Sequence, residues 1–391
     1  MKLRKMISLI LVCILLSGCW DKIEIDRKSL VSIMGIDVGE EIGKEKELKN
    51  LKPDEPYTAM DVKKIHVTFG APDISKLGPD KGSSAEDIYL MADGYSMQDA
   101  ISKVSLQTSR DIKFSHTKLL VLSKDLMTYP DVAKEVVDYL QREPSLNRMM
   151  YVVLADGKAE EYLKYKPGME KNIEGFLTGL IENSSRSDTI FPITLNEFLV
   201  LLSQNGNAML PVMTIEKDKN ELRIAGVGMI KNYKIIGNLS PVETSNLVML
   251  RGKLRGGRRV TYLNGHPVDI SIDGVDRKIS VQDAGGKLIF NIDLRIEGEV
   301  KDYHTDGSIF SKDTLSYIQD NFNKSIKKEC EQVVRITQQE FEVDPIGLRE
   351  YVEKFHPSIW KKRKNSWGES YKNAVVNVNV NTNVRRIGVV K

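Results

Sequence analysis

Apolar residues along the first half of this chain follow two alternating periods. Short apolar runs, of which residues 119–122 are the clearest, predict buried strands. Between these runs, segments such as 131–141 repeat apolar residues at steps of three and four, the period of a helix with one buried face. Ser96 and the pair Thr194 and Glu197 provide N-caps for two of the predicted helices. Strand and helix signals that alternate in this way predict sheets covered by helices.

The second half of the chain is richer in strand signals. Ser240 and Glu243 form a capping box that predicts a helix up to about Gly252. A longer helix is predicted over residues 311–339, with Cys330 on its apolar stripe, which favours a buried and chemically quiet thiol. Strands are predicted at 208–215, 221–230, 233–236, 260–263, 268–272, 278–282 and 288–296.

The clearest strand closes the chain. Its apolar and amide residues alternate: Val376, Asn377, Val378, Asn379, Val380, Asn381, Thr382, Asn383 and Val384. Because successive side chains of a strand point to opposite faces, this pattern predicts one packed and one solvated face.

These patterns together predict an α+β fold, a multi-domain mixed α/β ectodomain with antiparallel or mixed sheets flanked by helices. The 391 residues exceed the size at which a single core normally suffices. Polar stretches place the main boundary near Asn205, and the charged segment 40–52 is predicted to be a mobile loop. The predicted divisions are a signal peptide at 1–18, an N-terminal mixed α/β domain at 19–204, a β-rich middle domain at 205–300 and a C-terminal α/β domain at 301–391.

The N-terminal segment has the features of a bacterial lipoprotein signal. Cationic residues precede the apolar run 6–16, which is shorter than the ~20 residues that span a bilayer, and two small residues lead into Cys19. We therefore predict cleavage before Cys19 and attachment of a diacylglyceryl group to its thiol. Two or more acyl chains would hold the mature protein stably on the membrane. The alternative is an ordinary cleaved secretory signal that leaves Cys19 as a free thiol outside the cytoplasm.

Charge and cysteine content narrow the function classes. Lysine and arginine total 57 against 54 acidic residues, and loss of the cationic signal brings the two into balance. No nucleic-acid partner is implied by such a surface. Of three cysteines, one leaves with the signal and Cys19 is acylated, so Cys330 has no disulfide partner.

The common catalytic templates are incomplete in this sequence. Residues 226–228 lack the third glycine of a dinucleotide-binding loop, and Ser280 occupies the position at which a calcium loop requires an acid. The five histidines are scattered, and Ser115 and His116 are expected to point to opposite faces of an extended chain. We therefore expect no enzymatic activity, no cofactor and no metal.

Two basic stretches are candidate contact surfaces. Arg255, Arg258 and Arg259 flank a Gly-Gly pair in a loop that suits lipid headgroups or an acidic partner. Trp360 and Trp367 enclose a run of cations that suits an interface with a membrane or a protein. Each stretch has an ordinary alternative. For the arginine stretch it is a solvated loop without a partner, and for the two indoles it is a pair of rings that anchor a core.

In several motifs the chain resembles the Ger(x)C family of spore germination lipoproteins. The N-terminal motif is Gly-Cys-Trp-Asp at 18–21, followed by the strand 33–37. Residues 115–123 resemble the family's histidine-containing strand, and 142–148 resemble its Arg-Asp-Pro-x-x-x-Arg segment, with Glu in place of the Asp. Residues 344–388 resemble its closing pattern, so the resemblance covers nearly the whole chain.

This resemblance implies a non-enzymatic, lipid-anchored C subunit of a nutrient germinant receptor, on the outer face of the spore inner membrane or cell membrane. The implied partners are an integral A subunit, a transporter-like integral B subunit, and the lipid bilayer through acylated Cys19. One alternative is a lipid-anchored extracytoplasmic solute-binding protein, which requires two lobes around a cleft. Another is an exported, tethered enzyme, which requires a constellation of catalytic groups.

Overall fold

A computed structural model describes most of the chain beyond the predicted signal peptide. The described residues are 27–48, 50–52, 54–56, 62–73, 87–168, 170, 172–186, 190–203, 206–216, 218–263, 265–303 and 312–387. The predicted signal peptide and the predicted lipidation residue Cys19 lie outside them.

The first part of the chain forms an eight-stranded mixed sheet. A short strand β1 (Lys28–Leu30) pairs in parallel with β5 (Asp111–Lys113) beside it. The eight strands are β2 (Ile33–Val38), β3 (Ile65–Pro72), β4 (Asp87–Gly94), β6 (Leu119–Ser123), β7 (Tyr151–Ala155), β8 (Ala208–Glu216), β9 (Glu221–Lys231) and β10 (Lys234–Leu239). Their order in space is β10-β9-β8-β7-β6-β2-β3-β4, with the middle four strands parallel and the outer pairs antiparallel.

Helices cover both faces of this sheet. They are α1 (Met97–Ser105), α2 (Pro130–Arg142), α3 (Ala159–Leu163), α4 (Ile173–Arg186) and α5 (Leu195–Ser203). Apolar residues of α1, α2 and α5 join one core cluster, and those of α3 and α4 join another. Strand β6 lies between them, because Leu120 and Leu122 belong to the first cluster while Leu119 and Val121 belong to the second. A strand buried on both faces must be apolar at every position, which explains the continuous apolar run.

Helix α6 (Pro241–Leu250) connects this sheet to the rest of the fold. It begins with the predicted capping box: Ser240 Oγ accepts from the Glu243 amide at 3.3 Å, and Glu243 Oε2 accepts from the Ser240 amide at 2.8 Å. Residues 244–250 are all buried. Their apolar members share one core cluster with Met209 and Met229 of the first sheet and with the second sheet, so the two sheets are packed through α6.

The second sheet has four strands and forms the C-terminal part of the fold. They are β11 (Arg258–Leu263), β12 (His266–Ala284), β13 (Lys287–Tyr303) and β14 (Val375–Ile387), in that spatial order. The pairings β11–β12 and β12–β13 are antiparallel, and β13–β14 is parallel. The sequence predicts two strands, 268–272 and 278–282, in the region that forms the single strand β12. Residues 274–277 between them resemble a turn locally, but in the structure they pair with β13 after a bulge.

The long amphipathic helix α7 (Lys312–Arg335) packs its apolar stripe against the second sheet. Cys330 is fully buried on this stripe, which confirms the prediction of a packed thiol. The helix continues as a π-helical turn, Ile336–Phe341, where the buried Gln338 side chain donates to the Tyr371 and Ala374 carbonyls. Three short helices follow, α8 (Leu348–Phe355), α9 (Pro357–Arg363) and α10 (Trp367–Lys372).

The closing strand β14 has the predicted two faces. Val378 and Thr382 are buried, whereas Asn377 and Asn379 are exposed and donate across the sheet to Asn291 and Asp293 at 2.9 and 2.8 Å. The solvated face therefore carries a ladder of amide and carboxylate groups.

The predicted mixed α/β class is confirmed, with several sheets flanked by helices. The segment 40–52, predicted as a loop, instead contains a 3-10 turn (Ile42–Lys44) and a helical turn (Glu45–Leu48). Strands β8 to β10 follow Asn205 in the sequence yet complete the first sheet. The division into three domains remains a prediction.

Replacing Gly226 by Ala should destabilise the first sheet. Gly226 lies in β9 with φ of +106°, and an added Cβ would lie 2.0 Å from the Leu239 carbonyl oxygen of β10. Backbone strain and this clash together should lower the free energy of unfolding by about 2 kcal/mol or more, measured by urea denaturation. The matched control is Gly274→Ala in β12, where an added Cβ meets no atom within 4 Å. Equal stability of the two variants would contradict the structure at this point.

Candidate functional site

The predicted contact residues other than Cys19 all lie in the C-terminal part of the fold. Within the described ranges, no helix has both the length and the apolar character needed to span a membrane.

The three predicted arginines lie on β11 or in the connection that leads to it from α6. Arg255 is exposed. Arg258 is also exposed and pairs with Asp269 on β12, with Nε 2.6 Å from Oδ1, and this pairing lowers the pKa of the Asp269 carboxyl. Arg259 is half-buried, and its Nη2 donates to Ser245 Oγ on α6. Of the three predicted arginines, Arg255 is exposed, whereas the side chains of Arg258 and Arg259 form hydrogen bonds with the fold.

Strand β11 also presents an apolar strip that the sequence analysis missed. Val260 is 49 % and Tyr262 64 % exposed, whereas Thr261 between them is buried. With Arg258 they occupy alternate positions and share the outer face of an edge strand. The segment was predicted as a strand, but local alternation does not reveal that it lies at an edge. We call Arg255, Arg258, Val260 and Tyr262 the β11 strip.

Of the two predicted tryptophans, Trp367 belongs to the core and Trp360 is half-buried against it. Their ring centroids are 5.8 Å apart in an edge-to-face arrangement. Trp367 is only 6 % exposed, and Trp360 packs against the same core with the Arg349 guanidinium 5.2 Å from its ring centre. The lysines that follow Trp360 remain exposed. Burial removes Trp367 from direct contact with a partner or a membrane, which corrects that assignment.

The serine and histidine at 115 and 116 do not lie as the sequence suggested. They belong to a turn, not to an extended strand, and Ser115 Oγ is 3.1 Å from His116 Nδ1. Both residues are exposed. Elsewhere, His66 lies 2.9 Å from Asp93 and 3.6 Å from Glu160. Among the residues whose positions are described, no three His, Cys, Asp or Glu side chains are grouped to hold a metal ion.

A half-buried carboxylate, that of Asp344, organises the connection between α7 and α8. Asp344 accepts hydrogen bonds from the amides of Gly347, Leu348 and Arg349 at 3.0, 3.3 and 2.7 Å, and thereby caps the start of α8. Burial raises the pKa of Asp344, while these three donors and the nearby Arg251 oppose the shift.

Two guanidinium groups accompany Asp344 where the sheets meet. Arg251 Nη1 donates to the Pro345 carbonyl, and Arg277 Nη1 donates to the Leu250 and Ile346 carbonyls at 2.9 and 3.2 Å. Burial lowers the pKa of both arginines. The contact of Arg251 with Pro345 joins residues almost a hundred positions apart, so the sequence alone does not predict it.

An aromatic contact ties this cluster to the first sheet. Phe191, which precedes α5, lies beneath Arg251 at 5.1 Å and Lys253 at 4.6 Å from its ring centre. We call Asp344, Arg251 and Arg277 the charged cluster. Phe191 connects this cluster to the N-terminal part of the fold.

Both parts of the chain match described germination families. Residues 21–215 match the spore germination protein N-terminal domain, and residues 225–388 match the family described as spore germination B3/GerAC like, C-terminal. The crystal structure of the GerBC protein has the same fold, with a TM-score of 0.59 at 21 % identity, covering 92 % of this chain and 99 % of that one.

Relatives with curated names match along almost their full length. Spore germination protein YndF of Bacillus subtilis (strain 168) is 26 % identical over 99 % of this chain and 98 % of its own. Spore germination protein B3 of the same strain is 25 % identical over 96 % and 95 %. The chain thus belongs to the Ger(x)C family and has a role in spore germination.

Replacing Asp344 by Ala should strongly destabilise the C-terminal part. The variant leaves three amides without their acceptor and removes a negative charge near Arg251, which together should cost about 3 kcal/mol or more. Urea unfolding followed by tryptophan fluorescence measures this loss, because Trp367 lies in the same core. The matched control, Asp273→Ala at an exposed position of β12, should change stability by less than about 0.5 kcal/mol. A similarly small effect at Asp344 would show that its hydrogen bonds contribute little.

Proposed function

We propose that this protein is the membrane-anchored C subunit of a spore nutrient germinant receptor, needed for assembly of the receptor and for signalling of germination in response to nutrients. The observation that carries the proposal is the succession of both family regions, 21–215 and 225–388, in one chain. Relatives named as spore germination proteins also match it end to end. In this proposal the protein acts by binding its partners and performs no catalytic step.

The membrane anchor is acylated Cys19. A short apolar run, small residues and a cysteine in this order support lipidation. A diacylglyceryl group plus an amide-linked chain holds a folded domain at the outer face of the spore inner membrane and restricts it to the membrane plane. This restriction raises its effective concentration near integral partners, so that modest contacts are enough for assembly.

The β11 strip is the surface proposed to contact the integral A and B subunits. It combines an exposed cation, an exposed aromatic ring and an exposed aliphatic side chain on an edge strand. Tyrosine and arginine are the residue types that contribute most to protein interfaces. The rigid pairing of β11 with β12 fixes the strip before binding, which lowers the entropy cost of association.

Replacing Cys19 by Ala should release the protein from the membrane. The variant has no thiol to acylate, so intact-mass spectrometry should find no fatty acid and fractionation should shift the protein out of the membrane pellet. Nutrient-triggered loss of optical density by spores should slow as receptor levels fall. Cys330→Ala is the matched control, because Cys330 is buried in the core and should leave the anchor intact. Normal assembly and germination with Cys19→Ala would refute the anchoring mechanism.

A double substitution in the β11 strip, Arg255→Glu with Tyr262→Ala, should weaken partner binding. Loss of one charge contact and one aromatic contact should reduce co-purification with co-expressed A and B subunits about tenfold, which corresponds to ~1.4 kcal/mol. The control is Lys134→Glu with Leu106→Ala, which makes the same kinds of change at exposed positions of α2 and the end of α1. If both double variants co-purify equally, the β11 strip is not the docking surface.

A further inference from the structure

The chain enters the described fold at one end of the first sheet. Seven residues, 20–26, separate the predicted acylation site Cys19 from Arg27. A fully extended chain spans at most about 3.6 Å per residue, so Arg27 lies within about 30 Å of the acylated cysteine. A compact chain of this length has a radius of gyration of roughly 20 Å and is therefore roughly 50 Å across. Because the tether is shorter than the fold is wide, the bilayer lies on the side where Arg27 emerges.

Hydrogen bonds group three segments around this entry point. Strand β1 pairs in parallel with β5, and the Val31 amide donates to the Lys113 carbonyl at 3.0 Å. The turn after β5 contacts the loop before β7, because Asn147 Nδ2 donates to the Thr117 carbonyl at 3.0 Å. The three segments therefore meet at the amino ends of the parallel strands β2, β6 and β7: they are 27–32, 106–118 and 143–150. We call these segments the tether surface.

The tether surface carries two large apolar side chains that face solvent. Leu106 is 89 % and Met149 70 % exposed, the two highest values among the exposed large hydrophobic side chains of the described ranges. Leu106 lies between α1 and β5, and Met149 lies two residues before β7. Single exposed apolar residues are common on proteins. These two, however, lie at the end of the fold that the tether holds near a bilayer, so a lipid surface is the partner within their reach.

Cations accompany these apolar side chains. Arg27 is exposed, and Lys28 and Arg110 are half-exposed. Among the described residues, none of these three has a carboxylate within 4 Å. Lys118 is also exposed, although it pairs with Glu174 at 3.3 Å. Basic side chains beside a lipid anchor are attracted to anionic lipids within about one Debye length of the surface.

We propose that the tether surface docks on an anionic lipid surface. Leu106 and Met149 lie at the boundary between headgroups and acyl chains, while the neighbouring cations contact lipid phosphates. This inference rests on the proposed acylation of Cys19, which supplies the attachment that the tether surface then orients. The carboxyl ends of the parallel strands consequently point away from the membrane, and the fold meets its integral partners in one fixed orientation.

Fluorescence quenching tests the proposal on the full acylated chain in vesicles of phosphatidylcholine and phosphatidylglycerol. A bimane label at Met149→Cys reports from the tether surface. The same label at Asp125→Cys reports from the opposite end, because the exposed Asp125 follows the carboxyl end of β6. Cys330 is buried and Cys19 is acylated, so neither takes the label. Lipids with a nitroxide on the headgroup should quench the first label at least threefold more than the second, and equal quenching overturns the proposal.

A charge variant tests the attraction to anionic lipid. Vesicles of phosphatidylcholine alone should lower the quenching at Met149→Cys at least twofold, whereas Arg27→Gln with Arg110→Gln should already show the lower value in mixed vesicles. The matched control is Lys134→Gln with Lys158→Gln, which removes two exposed cations near the carboxyl ends of the parallel strands and should keep the dependence on lipid. Quenching that is independent of lipid charge without these substitutions overturns the proposal.

Flotation of the same vesicles separates this result from the proposed receptor role. Protein that floats with the vesicles has its acyl anchor, so a failure of quenching then rejects the lipid contact alone. Protein that does not float lacks the anchor, which overturns both proposals. If the Met149→Cys label is shielded only in complexes with co-expressed A and B subunits, an integral subunit covers the tether surface and the lipid contact is refuted.

Discussion

The covering of both faces of the parallel strands is the constraint on which this fold depends. Strands β2, β6, β7 and β8 are apolar over most of their length, so each face needs its own layer of helices. The antiparallel strands at either side extend the sheet, and β9 and β10 bring the chain to α6. The buried residues of α6 then join the first sheet to the second core. The position of every later element, including the β11 strip and the charged cluster, follows from that join.

Much of this architecture could be predicted from local patterns. Period and capping determine helices such as α1 and α6, because Ser96 and Ser240 make their cap hydrogen bonds within a single turn. The alternation of apolar and polar residues likewise predicts β14 and its two faces, because this pattern is also local in the sequence. Such features depend on residues that are near one another in the sequence, so no knowledge of the tertiary structure is needed.

Features that depend on distant partners could not be predicted in this way. The turn-like stretch at 274–277 continues a strand because β13 pairs with it. Arg251 lies next to the basic stretch in the sequence, but its side chain contacts Phe191 and Pro345, which are far away in both directions. The outward face of β11 is a candidate contact surface because the strand lies at the edge of its sheet. In each case the feature depends on a contact with residues that are distant in the sequence, and local patterns carry no information about such contacts.

The parallel pairing of β13 with β14 has a consequence for the order of events during folding. Their partner residues, such as Phe290 and Val376, are separated by α7 to α10. Antiparallel hairpins such as β12–β13 close within a few residues, whereas this pairing closes a long loop and is slow on grounds of topology. During folding, the edge of β13 that pairs with β14 therefore remains unpaired until residues 375–387 have formed that strand. The amide ladder of β14 keeps the solvated side of that late strand hydrophilic, which limits its tendency to associate with other chains while the sheet is incomplete.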